Sequence, residues 1–275
     1  MAVAYACLFA VLYAQGVVAP PTEPTALSVA HSHNDYEQPR PLVQALEAGF
    51  ESVEADVLLS GRQVVVSHGF FDFIDRGSLD DLYLRPLQQR VDRLGSVYGD
   101  GRPFYLWIDL KGSSRDLTDA LHELLARYRM FSVFTDERAY PGPVVAILTG
   151  DEEAKRRYTD EHPLRRACRD SNRFVASDPA ADRRWTWYAL KWDELIDGSS
   201  IEEEGASRRE VPLRQVVERI HSLGRRLRVY AMPERRDAWE AAIAAGVDLI
   251  GTDRIQSFGE FLRARAARAD SLATP

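Results

Sequence analysis

The chain alternates between short apolar runs and longer stretches in which apolar residues recur three and four positions apart. The first pattern predicts buried strands and the second predicts amphipathic helices. The predicted strands are Ala26–Ala30, Ser52–Leu58, Gln63–Ser67, Phe104–Leu110, Val144–Leu148, Phe174–Ala176, Tyr188–Leu190, Leu227–Ala231 and Val247–Gly251. The predicted helices are Pro41–Ala48, Ser114–Tyr128, Glu152–Tyr158, Pro212–Leu223, Asp237–Ala245 and Ser257–Ala267. About eight strands with intervening helices over roughly 250 residues favour an α/β fold with a single (β/α)8 TIM barrel over an open doubly wound sheet.

The N-terminal segment differs from the rest of the chain. Residues 1–20 contain no charged side chain, and Met1–Ala14 is nearly all apolar or aromatic. That length fits the apolar region of a signal peptide and is short for a membrane span of about 20 residues. We therefore expect a signal peptide or N-terminal anchor at 1–20, a barrel at 21–275, and a secreted or extracytoplasmic protein. The leader lacks a basic n-region, and a buried core helix is the alternative.

Charge and cysteine content exclude several classes of protein. The 35 basic and 42 acidic residues give a formal net charge of −7, which argues against a nucleic-acid partner but leaves room for a local basic pocket. The two cysteines, Cys7 and Cys168, form no CxxC pair. A disulfide framework and a zinc ribbon are therefore both excluded.

Two acidic residues lie on one face of the second predicted strand. Because strand side chains alternate, Val53 and Val57 face the helices while Glu54 and Asp56 point into the barrel mouth. Two such anions lose hydration and repel each other unless a cation compensates. Mg²⁺ or Ca²⁺ would do so, since both prefer oxygen ligands. The alternative is a polar strand face that is salt-bridged to arginine.

Further polar residues fall at other strand ends. Asp109 and Lys111 lie two apart on one face and predict a third oxygen ligand and a fixed cation, or else a simple ion pair. Three of the six histidines, His31, His33 and His68, also lie at predicted strand ends. A histidine pair beside a metal-bound phosphate can supply a nucleophile or base on one side and an acid on the other.

A zinc site is the rival interpretation. The HxH at His31 and His33, with Asp253 after the last strand, is typical of zinc amidohydrolases. Such a site needs further nitrogen ligands from the middle strands, and the histidines between Asp109 and Asp253 lie on predicted helices or a loop. The zinc interpretation is therefore disfavoured.

Three segments in this order resemble the phospholipase C-like phosphodiesterase superfamily: Ala30–Tyr36 (AHSHNDY), Ala45–Val57 (ALEAGFESVEADV) and Val66–Gly69 (VSHG). This superfamily includes glycerophosphodiester phosphodiesterases, phosphatidylinositol-specific phospholipases C and sphingomyelinase D toxins. The HxHNDY opening is similar to the branch named after the fungal "altered inheritance of mitochondria" proteins. The match is strong from Val29 to His68, fair at Phe104–Lys111 and Gly246–Asp253, and weak between.

The resemblance implies a catalytic pair and a metal site. His31 and His68 would be the nucleophile or acid/base pair. One divalent cation, Mg²⁺ rather than Ca²⁺, would be bound by Glu54, Asp56 and Asp109.

The resemblance also implies substrate contacts from Lys111, Asn34 and Tyr230. The implied activity is a metal-dependent phosphodiesterase that hydrolyses or cyclises a glycerophosphodiester or a phospholipid head group. A catalytically silent barrel that binds a phospholipid or phosphorylated ligand is the alternative. The arginine of the phosphodiesterase HRG motif is missing, as are the toxins' cysteine-closed loop and room for an inserted subdomain. The aromatic cluster Phe70, Phe71 and Phe73 is either a membrane-contacting lip or a packed loop.

Overall fold

The computed structural model describes residues 24–69, 76–197, 201–202 and 212–273. The expected leader at 1–20 and the aromatic cluster Phe70, Phe71 and Phe73 lie outside these ranges. No helix in the described part of the chain is long and apolar enough to span a bilayer.

Eight parallel strands surround a common axis. They are β1 (Leu27–Ser32), β2 (Phe50–Ser60), β3 (Phe104–Leu110), β4 (Val144–Gly150), β5 (Ala167–Arg169), β6 (Trp187–Lys191), β7 (Arg226–Tyr230) and β8 (Leu249–Thr252). The hydrogen-bonded order is β6-β7-β8-β1-β2-β3-β4-β5. Backbone hydrogen bonds from Ser171 to Trp187 (3.1 Å) and from Ala189 to Ser171 (3.0 Å) bring the two ends of the sheet together. The predicted single (β/α)8 TIM barrel is confirmed, with near-complete closure.

Helices cover the outside of the barrel. They are α1 (Val43–Ala48), α2 (Arg85–Leu94), α3 (Arg115–Ala126), α4 (Glu152–Glu161), α5 (Trp192–Ile196), α6 (Leu213–Ser222), α7 (Arg236–Ala245) and α8 (Ile255–Ala273). A 3₁₀ turn at Asp35–Glu37 follows β1, and a π-helical turn at Asp80–Leu84 leads into α2. Ser114 and Asp151 cap α3 and α4 by accepting backbone N–H bonds, as short polar N-cap residues commonly do.

Several predicted elements differ from the structure. The predicted strand Phe174–Ala176 is a two-residue strand, Phe174–Val175, that pairs with Ile201–Glu202 outside the barrel. The fifth barrel strand is Ala167–Arg169, which was missed because three residues without a β-branched run carry almost no strand signal. Gln63–Val66 pairs antiparallel with β2 as a hairpin and adds no barrel strand. Helix α2 was not predicted.

Two apolar layers fix the height of the functional site. One lies between the sheet and the helices, where the alternating residues Val53, Ala55 and Val57 of β2 are fully buried. The other fills the barrel interior and includes Trp107 and Trp187. This interior layer leaves the carboxyl ends of the strands as the place where inward-facing polar side chains meet.

Candidate active site

Three carboxylates converge at the mouth of the barrel. Glu54 and Asp56 project inward from β2, and Asp109 stands directly opposite Asp56 in the β2–β3 register. One oxygen of each lies within 4.8 Å of the others. Glu54 and Asp56 are 2% and 0% exposed, so water does little to screen their repulsion.

Two basic side chains offset part of this charge. Lys111 Nζ lies 2.9 Å from Asp56 Oδ2 and 3.0 Å from Asp109 Oδ2. Arg228, which is buried on β7, places Nη2 2.8 Å from Glu54 Oε1 and 2.9 Å from Glu54 Oε2. Among the described residues, three carboxylates against two cations leave negative charge uncompensated. Burial, with repulsion from Glu54 and Asp56, raises the pKa of Asp109 to about 6.

The donor set fits a divalent cation. Asp56 Oδ1 and Asp109 Oδ1 are buried and have no hydrogen-bond partner among the described residues. A buried carboxylate oxygen without a partner is costly, and a bound cation would satisfy it. An all-oxygen set suits Mg²⁺ or Ca²⁺ better than zinc.

A glycine makes room for Asp109. Gly150, the last residue of β4, has φ +88°, and a Cβ built on it would lie 2.1 Å from Asp109 Oδ1. Only glycine combines this backbone conformation with so close an approach. The neighbouring strand therefore contributes space to the cluster.

His31 is held in one orientation and in its neutral form. Its Nδ1 lies 2.7 Å from the Ser52 hydroxyl, and its Nε2 lies 3.6 Å from Glu54 Oε2. The ring is fully buried and packs edge-on against Trp107. Burial, aided by the positive charge of Arg228, lowers the pKa of His31 to about 3. Since Nε2 makes no hydrogen bond in the described structure, it is the nitrogen left for a ligand.

His68 reaches the cluster from the other side. Its Nδ1 lies 2.8 Å from Asp56 Oδ2, and its side chain is 63% exposed. The Tyr36 hydroxyl donates to the same carboxylate oxygen at 2.8 Å. Asp56 therefore orients the ring and leaves Nε2 facing outward, as a carboxylate commonly does for a functional imidazole.

The predicted substrate contacts take different positions. Lys111 lies within the acidic cluster, as described above. Tyr230 is half-buried and stacks on His33, with ring centroids 6.4 Å apart. Asn34 follows β1 with a left-handed φ of 45°, and its side chain does not cap the adjoining turn. No hydrogen bond joins Asn34 to the acidic cluster in the described residues.

Sequence reasoning left two groups in the mouth without an assigned role. His33 was placed at a strand end and in the rival zinc site; its Nδ1 lies 2.8 Å from Asp253 Oδ1 and its Nε2 lies 3.8 Å from Glu54 Oε2. Arg228 was not singled out. The alternation of Arg228 with the buried Val229 on β7 was the available signal, because it turns the arginine toward the barrel axis.

A strained backbone segment precedes His31 on β1. Val29 has φ 66°, a sterically costly value for a β-branched residue, at the point where the β1–β2 register shifts. Such bulges re-aim the side chains that follow them. The turn after β1 is tied by Asp35, which is fully buried and accepts hydrogen bonds from Ser32 (2.7 Å) and Tyr83 (3.0 Å).

In its fold, the barrel is similar to phosphodiesterases of known structure. A glycerophosphodiester phosphodiesterase from Parabacteroides distasonis superposes with a TM-score of 0.56 at 17% identity, over 88% of this chain and all of that one. An Oleispira antarctica phosphodiesterase, solved with the product sn-glycerol-3-phosphate, gives a TM-score of 0.51 at 16% identity, over 86% and 97% of the two chains. At such identity these likenesses show the fold alone.

A more specific match is to a family named after proteins from fungi. Residues 23–99 match the model of the AIM6-like phosphodiesterase domain, a range that contains His31, Glu54, Asp56 and His68. Altered inheritance of mitochondria protein 6 from Eremothecium gossypii is 29% identical to this chain, in an alignment that covers 86% of this chain and 69% of that protein. The family resemblance expected from the sequence is confirmed.

Proposed function

We propose that this chain is a divalent-metal-dependent phosphodiesterase acting on a glycerophosphodiester or a phospholipid head group. One observation carries the proposal. Three inward-facing carboxylates, two of them with unpartnered buried oxygens, lie beside two oriented histidines and a lysine at the carboxyl ends of the strands. A cation site next to two imidazoles can supply the charge stabilisation and the proton transfers that phosphodiester cleavage uses.

The comparisons support the substrate class. The family model that matches residues 23–99 is described as a phosphodiesterase domain. The Oleispira antarctica structure was solved with a glycerophosphate product. A phosphodiester that carries a glycerol phosphate is therefore the first substrate to test.

Glu54, Asp56 and Asp109 would hold the cation, which we propose to be Mg²⁺. When bound, it would neutralise charge on a non-bridging phosphate oxygen. Lys111 would then turn from its two carboxylate partners toward the phosphoryl group and supply a fixed positive charge.

The two histidines would divide the proton transfers. His31 stays neutral at physiological pH and presents Nε2 as the base or nucleophile. His68, oriented through Nδ1 by Asp56, presents its other nitrogen toward solvent and would protonate the leaving oxygen. If the substrate carries a neighbouring hydroxyl, internal attack gives a cyclic phosphate; otherwise water gives the open product.

The proposal is tested by ³¹P NMR on the full chain with glycerophosphocholine, lysophosphatidylcholine, phosphatidylinositol and sphingomyelin. Each substrate is incubated with Mg²⁺, with Ca²⁺ and with EDTA, beside a His31→Ala variant. A product resonance that needs both the cation and His31 supports the phosphodiesterase. Ligand binding by the wild-type chain without turnover of any substrate would instead favour the catalytically silent barrel.

A further inference from the structure

A cavity lies at the end of the barrel opposite the acidic cluster. Its volume is about 630 Å³, within the range of small-molecule binding sites. It opens where strands β3, β4, β6 and β7 begin, between Pro103, Pro143, Trp187 and Arg226. The interior aromatic layer separates it from the proposed catalytic groups.

The floor of this cavity is apolar. Trp187 is 3% exposed and packs edge-on against both Tyr105 and Trp107, with ring centroids 5.4 Å apart in each case. Cys168 is also buried, and the Thr186 hydroxyl lies 3.0 Å from its sulfur. Because burial raises the pKa of the Cys168 thiol to about 11, this side chain is a neutral part of the floor.

The walls are fixed by neighbouring structure. A short hairpin, Val133–Phe134 with Ala139–Tyr140, forms one side. Two backbone hydrogen bonds between Phe134 and Arg165, of 2.8 and 3.0 Å, tie this hairpin to the barrel. Tyr140 lines the cavity while remaining 53% exposed.

One charged side chain lines the cavity among the described residues, and it is Arg226. Its guanidinium carbon lies 5.5 Å from the Trp187 ring centroid and 5.7 Å from that of Tyr105. It also donates a hydrogen bond to the Tyr105 hydroxyl, and its Nε lies 3.8 Å from Asp248 Oδ1. The side chain is 52% exposed, so a cation is held at the rim above an apolar floor.

We propose that this cavity binds a single-chain anionic amphiphile, such as a fatty acid. Its hydrocarbon chain would lie against Trp187 and Val145, and its carboxylate would lie at Arg226. The apolar lining gives a chain the burial that stabilises it, and the lone cation selects an acidic head group over a neutral or basic one. The hydroxyls in the lining, those of Ser96, Ser132 and Thr186, already have partners within the protein. A nucleotide or sugar would therefore leave most of its polar groups without partners.

The test uses 6,7-dibromododecanoate below its micelle concentration, with the full chain and tryptophan fluorescence as the readout. Bromine in the middle of the chain quenches a tryptophan that the chain contacts, so we expect saturable quenching that is largely lost in Trp187→Phe. We expect Arg226→Gln to weaken apparent affinity roughly five- to tenfold, because a charge-assisted contact is lost. The matched control Arg265→Gln, also half-exposed and paired with one carboxylate, should bind as the wild type does.

Two further measurements keep the test decisive if a variant fails to fold. The neutral analogue 6,7-dibromododecanol should bind the wild type more weakly than the acid does. Val145→Phe, checked for folding by circular dichroism, should narrow the cavity and reduce quenching. Equal affinity of the acid and the alcohol, quenching that persists in Trp187→Phe, or unchanged binding to a folded Val145→Phe or Arg226→Gln would overturn the proposal.

Discussion

Replacing Asp109 by asparagine should stabilise the metal-free protein at neutral pH, although Asp109 is a proposed metal ligand. Burial and two neighbouring carboxylates raise its pKa from 3.8 to about 6. A carboxyl whose pKa is raised by folding destabilises the native state once it ionises. The penalty is absent below about pH 4 and complete above about pH 6.

The size of this stability difference follows from the change in the pKa of Asp109. A pKa raised from 3.8 to about 6 corresponds to about 3 kcal/mol, since each pKa unit is worth about 1.36 kcal/mol. We therefore expect the free energy of unfolding of Asp109→Asn in EDTA to be about 3 kcal/mol higher than that of wild type at pH 7, and nearly the same at pH 4. Asparagine keeps the shape of the protonated acid, and Lys111 keeps its contact with Asp56.

Urea denaturation at both pH values measures this difference. Saturating Mg²⁺ should cancel most of this difference in stability, because a ligand at 100 times its Kd adds about 2.7 kcal/mol to the wild type and little to the variant. The control Asp160→Asn removes a carboxylate that is 60% exposed and should change little at either pH. If Asp109→Asn in EDTA were less stable than wild type at pH 7, the reasoning about uncompensated charge would be refuted.

Three other substitutions test neighbouring parts of the site. Gly150→Ala should lower both stability and cation affinity, measured by denaturation and calorimetry, because its Cβ would displace Asp109; unchanged affinity would contradict the packing argument. Arg228→Gln should cost about 3–5 kcal/mol of stability by leaving Glu54 buried without its arginine, with much of the loss recovered when Glu54→Gln is added. If Arg228→Gln lost less than about 1 kcal/mol of unfolding free energy, Arg228 and Glu54 would not form a strongly coupled buried ion pair. Wild type should lose stability relative to His31→Gln as pH falls from 6.5 toward 3, because folding lowers the pKa of His31 to about 3; parallel pH profiles would show that burial does not hold this ring neutral.

The fold was predictable where strand and helix patterns are long. The alternation in β2 predicted both its buried face and its inward carboxylates, and the register of β2 with β3 then places Asp56 opposite Asp109. The fifth strand was missed because Ala167–Arg169 is too short to show a pattern, and its position is set by pairing with β4. Tertiary pairing decided that element.

The site was less predictable where partners are far apart in sequence. Arg228 lies 174 residues from Glu54, and Asp253 lies 220 residues from His33. No local spacing predicts such pairs, because they depend on the pairing of β8 with β1 and of β7 with β8, which brings the ends of the chain to one barrel mouth. Gly150 was similarly invisible, since its importance depends on an oxygen from another strand.

The central claim is that the acidic cluster binds the cation on which phosphodiester cleavage depends. The most direct test is the rate of glycerophosphodiester cleavage, followed by ³¹P NMR, as a function of Mg²⁺ concentration for wild type and Asp56→Asn. We predict that the wild-type rate rises to saturation and vanishes in EDTA, and that the variant stays at least about 100-fold slower at every concentration. Cleavage that persists in EDTA, or a variant that matches wild type, would contradict the account.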